Sequence, residues 1–361
     1  MRLLSFSIAL MVVSIILCGC QNKKSKSIET KPTSEPKKEQ VIPNEIPEGM
    51  VWIMGGTFYQ GADAKDKLAM SHEKPQHQVQ VDGFFMDITE VTNAQFTAFV
   101  EATGYITIAE RKIDWEEVKK QVPPGTPKPA DSVLQPGSLV FKKPSHKLTN
   151  LNDFSQWWVW KIGANWRHPY GPNSTIEGKE DYPVVHISYK DAIAYCEWKG
   201  NRVPTEAEWE HAAKGGTPNT IYPWANEKEK LDQMANTWDG TFPETNNGDD
   251  GFTQAAPVKS FPPNAYGLYD MAGNVWEWTQ DWYNLEYYKT LASNGTLTKN
   301  PKGADMPYNP YNPYAQEKII KGGSFLCNAN YCASYRISSR MGNSLDSAQE
   351  HVGFRTVKSI N

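Results

Sequence analysis

Turn-forming residues punctuate this chain from end to end. Its 361 residues include 26 glycines and 25 prolines, and few of them fall inside periodic segments. Proline removes a backbone donor and glycine favours tight turns, so each tends to end or bend a regular element. Aromatic residues make up 12% of the chain, enough to fill a core with rings where long helices and strands are scarce. The expected class is α+β, irregular and loop-rich, with little regular secondary structure. There are no internal repeats and no strand–helix–strand alternation, which argues against a doubly wound sheet. The net charge is −4, and no run of Lys and Arg marks a nucleic-acid partner.

The first residues read as an address. Arg2 supplies a positive start, and Leu3 to Leu17 is an apolar run shorter than the roughly 20 residues of a membrane span. It closes in Leu17-Cys18-Gly19-Cys20, which resembles a bacterial lipobox. That resemblance implies a signal peptide over 1–19, cleavage before Cys20 and a lipid on that cysteine. Gln21 follows where an Asp would resemble an inner-membrane signal, so the expectation is an exported, membrane-anchored lipoprotein on the outer membrane facing the periplasm. Residues 20–48 are then the lipidated cysteine and a disordered tether, rich in Lys, Glu, Ser and Pro. The folded domain is expected over 49–361. Cys196, Cys327 and Cys332 remain in it, an odd count that calls for a functional or a buried unpaired thiol.

Within the domain, Gln78 to Asp82 alternates with period two, as a half-buried strand does. Three helices carry their own start signals. Thr92 caps a segment with Phe96, Phe99 and Val100 on one face, and Gly104 ends it. Ser188 with Asp191 and Thr205 with Glu208 form capping boxes, the second helix stopping at Gly215-Gly216. Residues 106–160 are the least readable. Trp157, Trp158 and Trp160 there are expected in the core.

The stretch Gly322-Gly323-Ser324-Phe325-Leu326-Cys327-Asn328-Ala329-Asn330-Tyr331-Cys332 carries chemistry. Cysteines five apart face opposite sides of a strand and are not neighbours on a helix. Asn328 to Asn330 suggests a loop that brings the sulfurs together. Such a pair is a structural disulfide, a redox disulfide or a soft metal site. Two thiolates without a nearby His suit Cu(I) better than zinc. Spacing alone favours the structural disulfide in an oxidising compartment.

That stretch, continued by Tyr335-Arg336, Arg340, Asn343, Asp346-Ser347 and Gly353-Phe354-Arg355, closely resembles the C-terminal signature of the formylglycine-generating enzyme (sulfatase-modifying factor) family. Gly55-Gly56-Thr57-Phe58, Gly163-Ala164-Asn165-Trp166-Arg167-His168-Pro169, Arg202 to Glu210 and Gly267 to Trp278 extend the resemblance over Met50 to Lys358. It implies that family's fold, a C-type-lectin-like variant. It also implies that Cys327 and Cys332 hold Cu(I) and that a sulfatase presents a cysteine within a Cys-x-Pro-x-Arg-like segment as a further thiolate. With O2 as co-substrate, the cysteine becomes a thioaldehyde and then Cα-formylglycine. Trp276 and Ser324 would line the oxygen site and Tyr331 would sit beside the copper, with Arg340 and Asn343 in support.

The resemblance also implies two calcium sites, one from Asn236, Thr237, Asp250 and Phe252, the other from Asp270, Gly273, Val275 and Glu277. These positions offer the hard oxygen ligands that Ca2+ takes. Two disulfides of animal members are not matched. Cys196 faces Thr356 instead of a cysteine, and Ala213 and Ile337 replace the other pair, so Cys196 is expected as a buried free thiol. His351 stands where some members have Asn, close to the substrate groove. Two alternatives accompany the oxidase: a non-catalytic envelope lipoprotein that binds protein through the same fold, and a related oxidase with another thiol substrate.

Overall fold

The computed structural model describes Pro43 and residues 45–360. The signal segment, Cys20 and nearly all of the tether lie outside the described residues.

The three helices begin and end where their caps dictate. Asn93–Thr103 starts at Thr92, whose hydroxyl accepts from the Gln95 N–H while the Gln95 side chain returns to the Thr92 N–H. Gly104 closes it in the left-handed conformation. Tyr189–Lys199 and Glu206–Ala213 start at complete Ser188–Asp191 and Thr205–Glu208 boxes. The strand His77–Val81 buries His77, Val79 and Val81 and turns Gln78 and Gln80 outward, as its alternation requires.

Strands form small, mostly antiparallel sheets. Met50–Ile53, Phe84–Asp87 and Val357–Ser359 make one, and Gly56–Gln60 pairs His77–Val81 in another. A four-stranded sheet positions the site, in the order Met341–Ser344, Glu317–Lys321, Trp276–Trp282, Val352–Gly353. Val352–Gly353 lies parallel to Trp276 and Glu277, the other pairs are antiparallel. Residues 106–160 contain a hairpin, Gly137–Phe141 against Trp158–Ile162. Its tryptophans divide: Trp157 is buried, whereas Trp160 is 38% exposed, because a two-stranded ribbon leaves one face uncovered.

Rings fill the core as composition implied. Phe96, Phe99, Trp166, Tyr195 and Phe354 meet edge-on in the largest cluster, which also contains Trp276, Cys327 and Ala333. Cys196 belongs to it as a buried free thiol, and Ala213 and Ile337 pack together in a second cluster. Thr356 donates to Asp87 and accepts from Asn201.

Buried charges staple distant segments. Arg336 binds Glu73 and Asp66, Arg355 binds Glu277, Arg340 binds Glu206 and Lys321 binds Glu210. Removing one member of such a pair strands the other and costs about 3–5 kcal/mol.

Glu350 lacks a cationic partner. It is buried, its Oε2 has no hydrogen-bond partner, and burial pushes its pKa from 4.5 up to about 8. Below the unfolded value both states hold the proton. Between 4.5 and 8 the unfolded chain ionises first, so this group removes stability as pH rises, on the order of a few kcal/mol. The melting advantage of a Glu350→Gln variant over the parent is therefore expected to be smallest at pH 4 and to grow up to pH 8.5. Parallel melting temperatures across that range would contradict the assignment.

Candidate active site

The loop after the buried strand Glu317–Lys321 opens with Gly322 and Gly323, both at positive φ. A Cβ on Gly323 would come within 2.8 Å of the backbone of Ser334 and Tyr335, so glycine allows the two ends of the loop to touch. Between them the chain reverses on one carbonyl. The oxygen of Asn328 accepts from the N–H groups of Tyr331, Cys332 and Ala333 at 3.1, 3.1 and 2.9 Å. The Asn328 side chain holds the turn from both sides, donating to Trp238 and Gly240 and accepting from Asn330 N–H.

This reversal brings Cys332 back beside Cys327, close enough for each thiol to shift the ionisation of the other. Both are free, as is Cys196. The structure does not contain the disulfide favoured by spacing alone, and three backbone hydrogen bonds close the loop in its place. Cys327 is only 3% exposed, whereas Cys332 is half-buried at a tip whose Asn330 reaches solvent. Their electrostatics differ accordingly. The hydrogen bond from Cys327 draws the Cys332 pKa down to about 7, helped by the backbone at Ser334 and Asn328. Burial, and then the neighbouring Cys332, hold Cys327 well above the usual thiol range. The arrangement is one deeply buried thiol and one on a half-buried residue that ionises near neutrality, a donor pair suited to a soft, low-coordinate metal.

The other sequence-assigned residues gather around the pair. Ser324 donates its N–H to the Cys327 sulfur at 3.4 Å. Its hydroxyl lies 3.1 Å from His351 Nδ1. Trp276 begins the neighbouring strand, shares the core cluster of Cys327 and donates its N–H to His351 O. Tyr331 stacks on Phe242 at 4.7 Å and meets Trp157 edge-on. Arg340 sits elsewhere, against Glu206, with its guanidinium over the Tyr288 ring. Asn343 reaches the site only through Gln349.

The oxygen-rich segments lie behind the loop. Asp250 accepts from the N–H groups of Thr237 and Phe252, drawing those two segments together. Asn236 Oδ1 is buried without a partner. In the second segment, Asp270 accepts from Lys259 N–H, and a Cβ on Gly273 would strike the Asn236 carbonyl. Val275 is buried just before the strand Trp276–Trp282. Glu277 is already engaged: its carboxylate takes Trp209 Nε1 and two Arg355 donors, all within 2.7 Å. The acceptor left over is Glu90 Oε2, buried and unpartnered, with the Asp270 carboxylate nearby. Burial, then the Asp270 charge, raise Glu90 well above the carboxylate range. Among the described residues, no three His, Cys, Asp or Glu side chains group as a metal cage, so a cation here would draw on amide and carbonyl oxygens as well.

Sequence reasoning missed Glu90 and Asn274. Asn274 links both segments to the loop: its Oδ1 accepts from Asn236 and Ala256, its Nδ2 donates to Glu90, and its carbonyl accepts from Phe325 N–H. Its positive φ is a signal that Asn, among non-glycine residues, tolerates best.

A sulfatase-modifying factor enzyme 1-like domain matches residues 35–360. The formylglycine-generating enzyme of Thermomonospora curvata is 42% identical over 315 residues, covering 87% of this chain and 94% of that protein. A mouse relative named as an inactive Cα-formylglycine-generating enzyme 2 is 38% identical, over 86% of this chain and 85% of its own. Among solved structures, PvdO from Pseudomonas aeruginosa shares the fold, with a TM-score of 0.57 at 22% identity, over 86% of this chain and 94% of that one. With the domain matched over nearly its whole length and relatives this similar, the chain belongs to the formylglycine-generating enzyme (sulfatase-modifying factor) family.

Proposed function

We propose that this chain oxidises the active-site cysteine of a sulfatase to Cα-formylglycine, with Cu(I) held by Cys327 and Cys332 and with O2 as oxidant. The observation that carries this reading is the pairing of two free thiols, one buried and one on a half-buried residue, in a single loop. Two sulfurs and no imidazole fit Cu(I) by softness and coordination number. When bound, it supplies a redox centre with room for a further thiolate and for oxygen.

The protein's own residues do the rest. The Asn328 turn sets the sulfur pair, and the hydrogen bond to Cys327 keeps Cys332 ionisable near pH 7. Trp276, Ala333 and the surrounding rings exclude water on the buried side, while Tyr331, braced by Phe242, walls the exposed side. The electron balance requires a reductant. Dioxygen takes two electrons and two protons from the target cysteine, leaving a thioaldehyde, and two of each from a pair of external thiols that depart as a disulfide, so that it is reduced to two waters. Water then replaces the sulfur, releasing sulfide and the aldehyde.

Calcium is proposed as a structural ion at the two oxygen-rich segments. The orphaned Asn236 Oδ1 supports the first. At the second, Glu90 Oε2 is the unpartnered acceptor and Asp270 lies near it, while Glu277 serves chiefly to hold Arg355. The lipobox reading places the enzyme, through a lipid on Cys20, at the outer membrane facing the periplasm. No helix among the described residues is long and apolar enough to cross a membrane.

Purified protein supplied with copper, oxygen and a thiol reductant is expected to convert a Cys-x-Pro-x-Arg peptide to its aldehyde, read by mass spectrometry. Cys327→Ser and Cys332→Ser should each abolish the product without unfolding the chain. A wild-type protein that binds copper and leaves such peptides unchanged would overturn the reading in favour of a catalytically silent envelope protein, as the inactive relative's name allows. In cells, Cys20→Ala should move the protein from the membrane to the soluble fraction. Unchanged membrane attachment would exclude the lipid anchor.

A further inference from the structure

Ser324 is held by a chain of side chains that runs from Asn343 through Gln349 and His351. Gln349 Nε2 donates to Asn343 Oδ1 at 3.1 Å and to Ser347 Oγ at 3.0 Å. That orientation leaves Gln349 Oε1 as the atom facing His351 Nε2, at 2.8 Å. An amide oxygen only accepts, so His351 Nε2 carries the hydrogen. In a neutral imidazole Nδ1 is then the acceptor, and its neighbour at 3.1 Å is the Ser324 hydroxyl. Ser324 therefore donates its only hydroxyl hydrogen to His351. Its oxygen accepts from Leu326 N–H at 3.2 Å, and the side chain lies against Cys327.

The ring has little freedom to do otherwise. The Trp158 indole meets it edge-on at 4.9 Å, and its carbonyl is tied to Trp276 N–H in the parallel strand pair. We propose that His351 is a positioning residue: in a single tautomer enforced by Gln349, it turns Ser324 Oγ into a hydrogen-bond acceptor aimed at the cysteine pair.

This inference rests on the proposed oxidation and deepens it. A substrate thiol entering beside Cys332 would find, in Ser324, an oxygen that can only accept. His351 does not store the proton it faces. Burial, and secondarily the charge of His186, push its pKa down to about 3, several units below any thiol. A base so weak leaves the proton where it is at neutral pH, so its contribution is orientation and not proton transfer.

The test combines a spectroscopic and a kinetic measurement on the intact protein. With 15N-labelled imidazoles, and the His351 signals assigned by their loss in His351→Asn, two-bond 1H–15N correlation should show a neutral Nε2–H ring that does not titrate between pH 5 and 8. An Nδ1–H tautomer or a titrating ring would overturn the proposal, whether or not the protein converts peptide. In the peptide assay, Asn can place an oxygen where Nδ1 stands, whereas Gln places its oxygen near Nε2. His351→Asn is expected to keep kcat within about threefold, and His351→Gln to lose at least tenfold in kcat with KM little changed. Equal losses in the two variants, or a loss in KM alone, would reduce His351 to packing. If the parent converts no peptide, the oxidase reading fails, and the tautomer alone decides this one.

Discussion

The structure depends on one carbonyl. Three successive N–H groups, of Tyr331, Cys332 and Ala333, converge on Asn328 O and fold the chain back by five residues. Without that reversal the two cysteines would sit in extended chain, too far apart to act together. Buried backbone donors must find partners, so a turn that satisfies three of them at one acceptor is closed by ordinary hydrogen bonding. A loop closed in this way does not need a disulfide, and the sulfurs are left free for chemistry.

The surrounding fold can be understood as support for that turn. The loop leaves the end of one central strand, and the next strand delivers Trp276, whose parallel neighbour delivers His351. Arg336, just past the loop, is clamped by Glu73 and Asp66 from the far end of the domain. Beneath, Asn274 binds the oxygen-rich segments to Phe325. The site is therefore set by contacts of very large sequence separation, and its geometry is lost if the sheet or the buried ion pairs are lost.

That separation also explains what could be read from the sequence. Three helices were legible because their information is local, a capping residue, its partner three positions on and a glycine stop, whereas Tyr287–Ser293, which has no side-chain cap, was not. The sulfur-bearing loop was legible in outline, since five-residue spacing fits neither strand nor helix and Asn328 to Asn330 favour a turn. The strand Glu317–Lys321 was not. Its residues are wholly buried yet three of the five are charged, so it shows no alternation. Lys321 is tolerated there because Glu210 lies 2.9 Å away, 111 positions earlier in the chain. Glu90 and the Gln349–His351 relay were hidden for the same reason, and Trp160 was misplaced because nothing in its segment announces that the hairpin is open on one side.

The most direct measurement is copper coordination in the reduced protein. Titration with Cu(I) against a chromophoric chelator, followed by X-ray absorption, is expected to give one ion per chain bound by two sulfurs, with a third sulfur joining on addition of a cysteine peptide. An ion bound mainly through nitrogen or oxygen, or copper retained in full when both Cys327 and Cys332 are replaced by serine, would contradict a paired-sulfur site.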